Sequence, residues 1–324
     1  MTASQTVLVT GGAGYIGSLV TRNLLARGYQ VVAADALLFG GESLLDLLSQ
    51  PAFTFSKTDV TDLEQLAELF GRHRFDAVVH LASLVGDPAC KAQPELAERT
   101  IWQGSRNLFE LCERNDVSRF IFASTCSNYG KMQGKDMLDE EAPLRPVSLY
   151  AELKVKVERY LLERSTSVDF TLLRFATVYG LSLRPRFDLT INEFVRDALL
   201  KGELEIYGPQ FWRPYCHVSD IARAVILVLE ASRELVAGKT LNVGSNDENY
   251  QKGTIAEEVA RQIPVRVATV ERAEDPRDYR VNFDHITELG FKPRMRLPDG
   301  VAEIASAVGS GLIADPYAQR YRNS

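Results

Sequence analysis

The chain has 324 residues, 45% of them hydrophobic and 25% charged, with a formal net charge of −6. That is enough apolar material for one large domain or two modest ones. An acidic balance without a long basic block argues against a nucleic-acid partner, and the lack of any apolar run of about eighteen residues argues against a membrane span. No basic leader with an apolar core and a cleavage site opens the sequence, so the expected location is the cytoplasm. Cys90, Cys112, Cys126 and Cys216 form no C-x-x-C pair and are expected as reduced thiols, with neither a disulfide framework nor a metal site.

In chain order, short apolar runs that read as strands occur at Thr6–Thr10, Gln30–Ala34, Phe53–Lys57, Ala77–His80, Arg119–Ala123 and Phe170–Arg174, with helical periodicity between them. Their Val, Ile and Phe residues follow one another instead of alternating, as in a parallel sheet covered by helices on both faces. The expected fold is therefore α/β, a doubly wound parallel sheet of the Rossmann type over residues 1–175. Residues 176–324 are expected to form mainly a smaller substrate-binding region, with a stretch near 213–243 returning to the first. Segments such as "LSLRPRFDLT" and "YGPQFWRPYC" are longer than ordinary sheet connections and carry the polar, aromatic and Pro/Gly residues of binding loops.

The first strand runs into "TGGAGYIG", which places Gly11, Gly14 and Gly17 in a G-x-x-G-x-x-G spacing at the start of a helix expected to end near Arg27. Glycines there permit a tight turn and close approach of backbone to a pyrophosphate, whose charge sits on the free N–H groups of the helix start. The second strand ends in Asp35, where a carboxylate accepts the hydroxyls of an adenosine ribose and repels a 2′-phosphate, which favours NAD over NADP. Farther along, "FASTCSNYG" (122–130) follows the fifth strand and "YAELK" (150–154) lies on the next helix. Tyr150 and Lys154 are one helical turn apart on one face. A neighbouring ammonium stabilises a phenolate, which makes Tyr150 usable as a general base.

With these motifs in place the sequence resembles an extended short-chain dehydrogenase/reductase, in the group of NAD-dependent nucleotide-sugar epimerases and dehydratases. The resemblance covers nearly the whole chain. It rests on "TGGAGYIG", Asp35, "TDV" with Asp59 and Val60, "HLAS" (80–83), "STCSNYG", "YAELK", "LRFATVYG" (173–180) and "RPYCHVSD" (213–220). The resemblance implies that Gly11, Gly14, Tyr15, Ile16, Gly17, Asp35, Asp59, Val60, Leu81, Ala82, Ser83 and Thr177 border NAD. It implies that Tyr150 takes a proton from a sugar hydroxyl, usually at C4, as hydride leaves the same carbon. Lys154 tunes Tyr150 and holds the nicotinamide ribose, and Thr125 hydrogen-bonds the reacting oxygen.

Sugar 4,6-dehydratases of the group typically follow that Thr with Asp and Glu, and here Cys126 and Ser127 stand instead. Cys126 is either a thiolate base or a small packed side chain. The expected chemistry is thus hydride removal and return, giving 4-epimerisation, with a 4-keto-sugar reductase or dehydrogenase as the alternative and a non-catalytic NAD-binding sensor as a third reading. Two further departures are Ile101 and Thr177, which occupy positions where the group commonly has Asn. For the diphosphate of a nucleotide-sugar the candidates are Arg213, Arg277 and Arg280, since guanidinium binds phosphate bidentately, with Asn192 contacting the nucleotide. The helical stretches near 94–114 and 148–164 carry apolar faces that in relatives build a two-fold contact, so a homodimer is expected.

Overall fold

The computed structural model describes residues 5–132, 136–270 and 277–323. Strands β1 (Thr6–Thr10), β2 (Gln30–Asp35), β3 (Phe53–Lys57), β4 (Ala77–His80), β5 (Arg119–Thr125) and β6 (Asp169–Phe175) alternate with helices α1 (Gly17–Ala26), α2 (Leu63–Arg72), α3 (Asp87–Ala92), α4 (Pro94–Ala97), α5 (Ser105–Arg114) and α6 (Leu149–Leu162). Between α4 and α5 the helix widens into a π turn over Glu98–Gly104, which buries Ile101. β7 (Thr177–Tyr179) and α7 (Thr190–Lys201) follow, then β8 (Glu203–Ile206), β9 (Trp212–His217) and α8 (Val218–Glu230). The remainder comprises α9 (Arg233–Val236), β10 (Lys239–Val243), β11 (Asn249–Gln251), α10 (Lys252–Gln262), β12 (Arg266–Thr269), α11 (Asp284–Glu288) and α12 (Leu297–Gly309).

The main sheet is parallel, with strand order β10-β6-β5-β4-β1-β2-β3. Every residue of β4 is buried, as expected of a strand covered on both faces. Strand order reverses between β1 and β4, and a crevice opens at their carboxyl ends, where ligands of doubly wound sheets bind. One apolar core packs α1 and α8 on one face of the sheet, and a second packs α2, α5 and α6 on the other. A separate apolar cluster lies among α7, α10, α12, β8 and the loops joining them.

Residues beyond 175 divide between the two regions. Trp212–His217 pair with β7 and β11 in a small sheet of their own, while α8 and β10 return to the main sheet. Among the described residues no helix is long and apolar enough to cross a membrane, and no group of His, Cys, Asp and Glu is arranged to hold a metal ion.

Candidate active site

The turn after β1 forms the floor of the crevice. Gly11 has φ +72°, and a Cβ on it would stand 2.8 Å from the Ala82 amide nitrogen. A Cβ on Gly17 would meet the Gly11 carbonyl, so no larger residue fits at either position. Gly14, by contrast, would meet only that same carbonyl, and its open side lines the crevice. Asp35 braces the turn: its Oδ2 accepts from the Ala13 amide (3.0 Å) and its Oδ1 from the Leu37 amide (2.8 Å). Burial raises the Asp35 pKa above the usual carboxylate value, opposed by those two amides and by the charge of Arg184.

Beyond Asp35 the crevice passes Asp59, whose Oδ1 accepts from the Thr61 amide (2.8 Å), and then Val60. Leu81, Ala82 and Ser83 carry it along the end of β4 to Thr125, Tyr150, Lys154 and Thr177. Tyr15 closes one side and donates from its hydroxyl to the Gly180 carbonyl (2.7 Å).

At the far end α6 presents Tyr150, Lys154 and Glu158 on successive turns of one face. Ser148 caps the helix by accepting from the Ala151 amide (3.3 Å), which sets where those turns begin. Lys154 Nζ donates to the Ala123 carbonyl on β5 (2.7 Å) and lies 4.7 Å from the centre of the Phe122 ring. Burial pushes the Lys154 ammonium down to about 7. Burial also raises the Tyr150 phenol above its ordinary value, with Cys90 and Asp87 adding to the rise and Arg186 and the nearby Thr125 hydroxyl opposing it. His80 bridges the hydroxyls of Thr10 (2.7 Å) and Ser105 (2.9 Å). It is held neutral, since burial and then the charge of Lys154 lower its pKa to about 3.

Behind this face lies a buried polar network that sequence reasoning missed. Arg174 on β6 forms a bidentate pair with Glu158, its Nη2 lying 2.7 Å from Oε2, and donates from Nη1 to the Tyr129 hydroxyl (3.0 Å). Asn128 donates to Glu158 (2.9 Å), and Ser124 also hydrogen-bonds Glu158. Its signal was present in the sequence, because Glu158 continues the four-residue spacing of Tyr150 and Lys154.

The cofactor residues expected from the sequence all line this crevice, as do Thr125, Tyr150, Lys154 and Arg277. Four other expectations are corrected. Cys126 is buried away from the crevice with its Sγ 3.2 Å from the Arg174 carbonyl, and burial holds its thiol far above the range of a working base. Asn192 is fully buried and its amide is consumed by the Gly180 N–H and carbonyl (2.9 Å each) and the Arg186 carbonyl (2.8 Å), so it shapes the loop and does not face a nucleotide. Arg213 is buried against the Tyr279 ring and donates to the Trp212 and Arg277 carbonyls. Arg280 lies over the Trp212 ring. Neither Arg213, on β9, nor Arg280, in the segment before α11, lines the crevice.

Residues that had not been expected take their places. Arg184, Arg186 and Asn323 form a roof, and Asp87 pairs with Arg277 (2.8 Å) and accepts from the Ser148 hydroxyl (2.7 Å). The two arginines of "LRPRFD" were visible in the sequence, but nothing local indicated that they turn inward.

A glycine turn at a strand-to-helix junction, an Asp at the end of β2 and a Tyr–Lys pair facing a hydroxyl define an enzyme site of the dinucleotide-dependent oxidoreductase kind. The NAD dependent epimerase/dehydratase family model matches residues 7–244, and the chain belongs to that family. The cradle fits NAD, since a Cβ at Gly11 or Gly17 would collapse the turn and the Asp35 carboxylate faces the crevice beside it. A dTDP-glucose 4,6-dehydratase of Actinoplanes sp. is 30% identical over 92% of this chain and 95% of its own length. A UDP-glucose 4-epimerase of Azospirillum brasilense is 29% identical over 94% and 91%. The structure of Thermus thermophilus UDP-glucose 4-epimerase in complex with NAD superposes with a TM-score of 0.81 at 27% identity, covering 93% of this chain and 98% of that one.

Proposed function

We propose that the protein is a nucleotide-sugar 4-epimerase that works by transient oxidation at C4 of a nucleotide-diphosphate sugar. The observation that carries this reading is the disposition of acids and bases along the crevice. The carboxylates lining it are Asp35 and Asp59 at the adenosine end and Asp87, which is already engaged by Arg277 and Ser148. At the positions where dehydratases of the group carry Asp and Glu stand Ser127 and the buried Cys126. A proton-transfer pair suited to eliminating water is therefore lacking among the described lining residues, whereas the groups for proton removal at one oxygen are present.

When bound, NAD supplies a nicotinamide ring that accepts hydride from C4 and returns it. Tyr150 takes the C4 hydroxyl proton, and Thr125 donates to the same oxygen as its carbonyl forms. Lys154, held by the Ala123 carbonyl with its Nζ 5.9 Å from the centre of the Tyr150 ring, favours the phenolate while it carries its proton. With the 4-keto sugar rotated, Tyr150 gives its proton back to the C4 oxygen as hydride returns to the opposite face of C4, which completes inversion. Arg277 is the proposed contact to the sugar diphosphate. We also propose a homodimer formed through α5 and α6, for which light scattering at a monomer mass would be decisive against.

The test is to offer UDP-, dTDP-, GDP- and CDP-sugars in deuterated water. The expected product is a C4 epimer with no net NADH and no solvent deuterium on carbon. Net NADH would instead indicate a dehydrogenase, and loss of water a dehydratase.

A further inference from the structure

The crevice has a roof whose chemistry the reaction does not require. Arg184, in the loop between β7 and α7, is 7% exposed and lines the crevice with its guanidinium 4.2 Å from the centre of the Phe39 ring. Its Nη1 donates to Asn323 Oδ1 (2.7 Å) and its Nη2 to the Arg322 carbonyl (2.9 Å). Its Nε is buried and has no hydrogen-bond partner among the described residues. An unpartnered N–H on a buried cation is costly, and on a residue that lines the crevice, with the Nε itself shielded from solvent, it leaves a donor for an acceptor brought by a ligand.

The segment Gln319–Asn323 ties the two walls together. Phe187 N–H donates to the Tyr321 carbonyl (2.9 Å), with the two rings edge to face. The Asn323 amide donates to Asp188 Oδ2 (3.2 Å), and its side-chain Nδ2 reaches the Val85 carbonyl (3.4 Å) on the opposite wall. Asn323 thus spans from the loop after β7 to the loop after β4, with Arg184 beneath it.

We propose that Arg184 and the segment Gln319–Asn323 form a clasp over the adenosine-ribose and pyrophosphate half of NAD, with Arg184 Nε–H donating to an oxygen of that half. The assignment to this half rests on neighbours. Leu38 and Phe39, in the loop after β2, line the crevice beside Arg184, and the Arg184 charge is felt by Asp35, the residue placed for the adenosine ribose. Arg186, two residues on, instead acts on the Tyr150 end and is neutralised by Asp188 (2.6 Å). A guanidinium opposite the Asp35 carboxylate gives the ribose hydroxyls a donor above and an acceptor below. Exchange of the cofactor then requires the Asn323 bridge to open, so NAD stays through many turnovers, whichever sugar is processed.

The test compares wild type, Arg184→Met and Asn323→Ala, each as the full chain. NAD carried through purification is measured after denaturation, and its release is followed by a chase with a fluorescent NAD analogue. Loss of a charge-assisted hydrogen bond predicts NAD release roughly tenfold or more faster in Arg184→Met. Asn323→Ala, at the surface of the fold, should show the same direction with a smaller change and an unaltered melting temperature for the NAD-free protein. Release as slow in both variants as in wild type would overturn the clasp. So would unchanged NAD release together with a raised KM for the nucleotide-sugar, which would transfer Arg184 to the substrate.

Discussion

Floor and roof of the crevice are built by different means. The floor consists of strand ends in a parallel sheet whose register is set by backbone hydrogen bonds from β3 through β10, so its side chains are aimed by local geometry: a turn after β1, the last residue of β2, the face of α6. The roof consists of loops that hold one another by side chains: Arg184 on Asn323, Arg186 on Asp188, Arg277 on Asp87. Backbone positions, the Asp35 carboxylate and one proton-transfer pair suffice below, while above nearly every cation is matched by an acceptor. On the proposed function, chemistry falls to the layer built from the sheet, and the proposed retention of ligand falls to the layer built from loops.

The largest effect expected of any single change is on the floor. Tyr150→Phe should lower kcat/KM by roughly 10³-fold or more, the scale of a lost general base, while bound NAD per chain stays unchanged. A variant retaining full turnover would break the assignment of the floor to chemistry. Next comes the ion pair under that floor. Arg174→Met leaves Glu158 buried without its guanidinium and should cost about 3–5 kcal/mol in urea unfolding. Replacing both partners, as Arg174→Met with Glu158→Leu, should recover part of that loss.

Lys154 provides a pH-dependent probe. Its folded pKa of about 7 lies below the ordinary 10.5, so between those values the unfolded chain holds a proton that the native chain has released, and native stability rises with pH across that window. The burden of burying the ammonium is complete below about pH 7 and gone above about pH 10.5. Lys154→Met removes that dependence. The stability difference between variant and wild type, measured without NAD, should therefore drift by roughly 2–4 kcal/mol in favour of wild type from about pH 6 to about pH 10. A flat difference would mean that the lysine stays charged in the folded protein. The smallest effect belongs to Cys126→Ala, a change outside the crevice: less than about twofold in kcat and on the order of 1 kcal/mol in stability for the lost sulfur packing.

How much of this was legible beforehand follows the same division. The glycines, Asp35, "HLAS", Thr125, Tyr150 and Lys154 reveal themselves because each sits at a sheet end or on a helix face whose direction follows from its own few neighbours. Glu158 was equally visible by spacing and was passed over, since a carboxylate two turns along a helix reads as solvated until β6 places Arg174 against it. Arg213 and Arg280 were chosen for charge, yet strand pairing and aromatic stacking turn both aside. Asn192 was chosen for its amide, which the loop consumes for its own carbonyls and N–H.

The sequence by itself determined the alternation of strands and helices, the dinucleotide turn and the Tyr–Lys pair, because periodicity, glycine φ and helical spacing are properties of short stretches. Only the tertiary structure decided which arginines face the crevice, that Cys126 does not, and that residues near 321–323 reach across to Val85. Most of those outcomes depend on contacts between segments far apart in the chain, such as Cys126 with Arg174 and Arg184 with Asn323, where the direction of a side chain is set by whichever partner the fold brings to it.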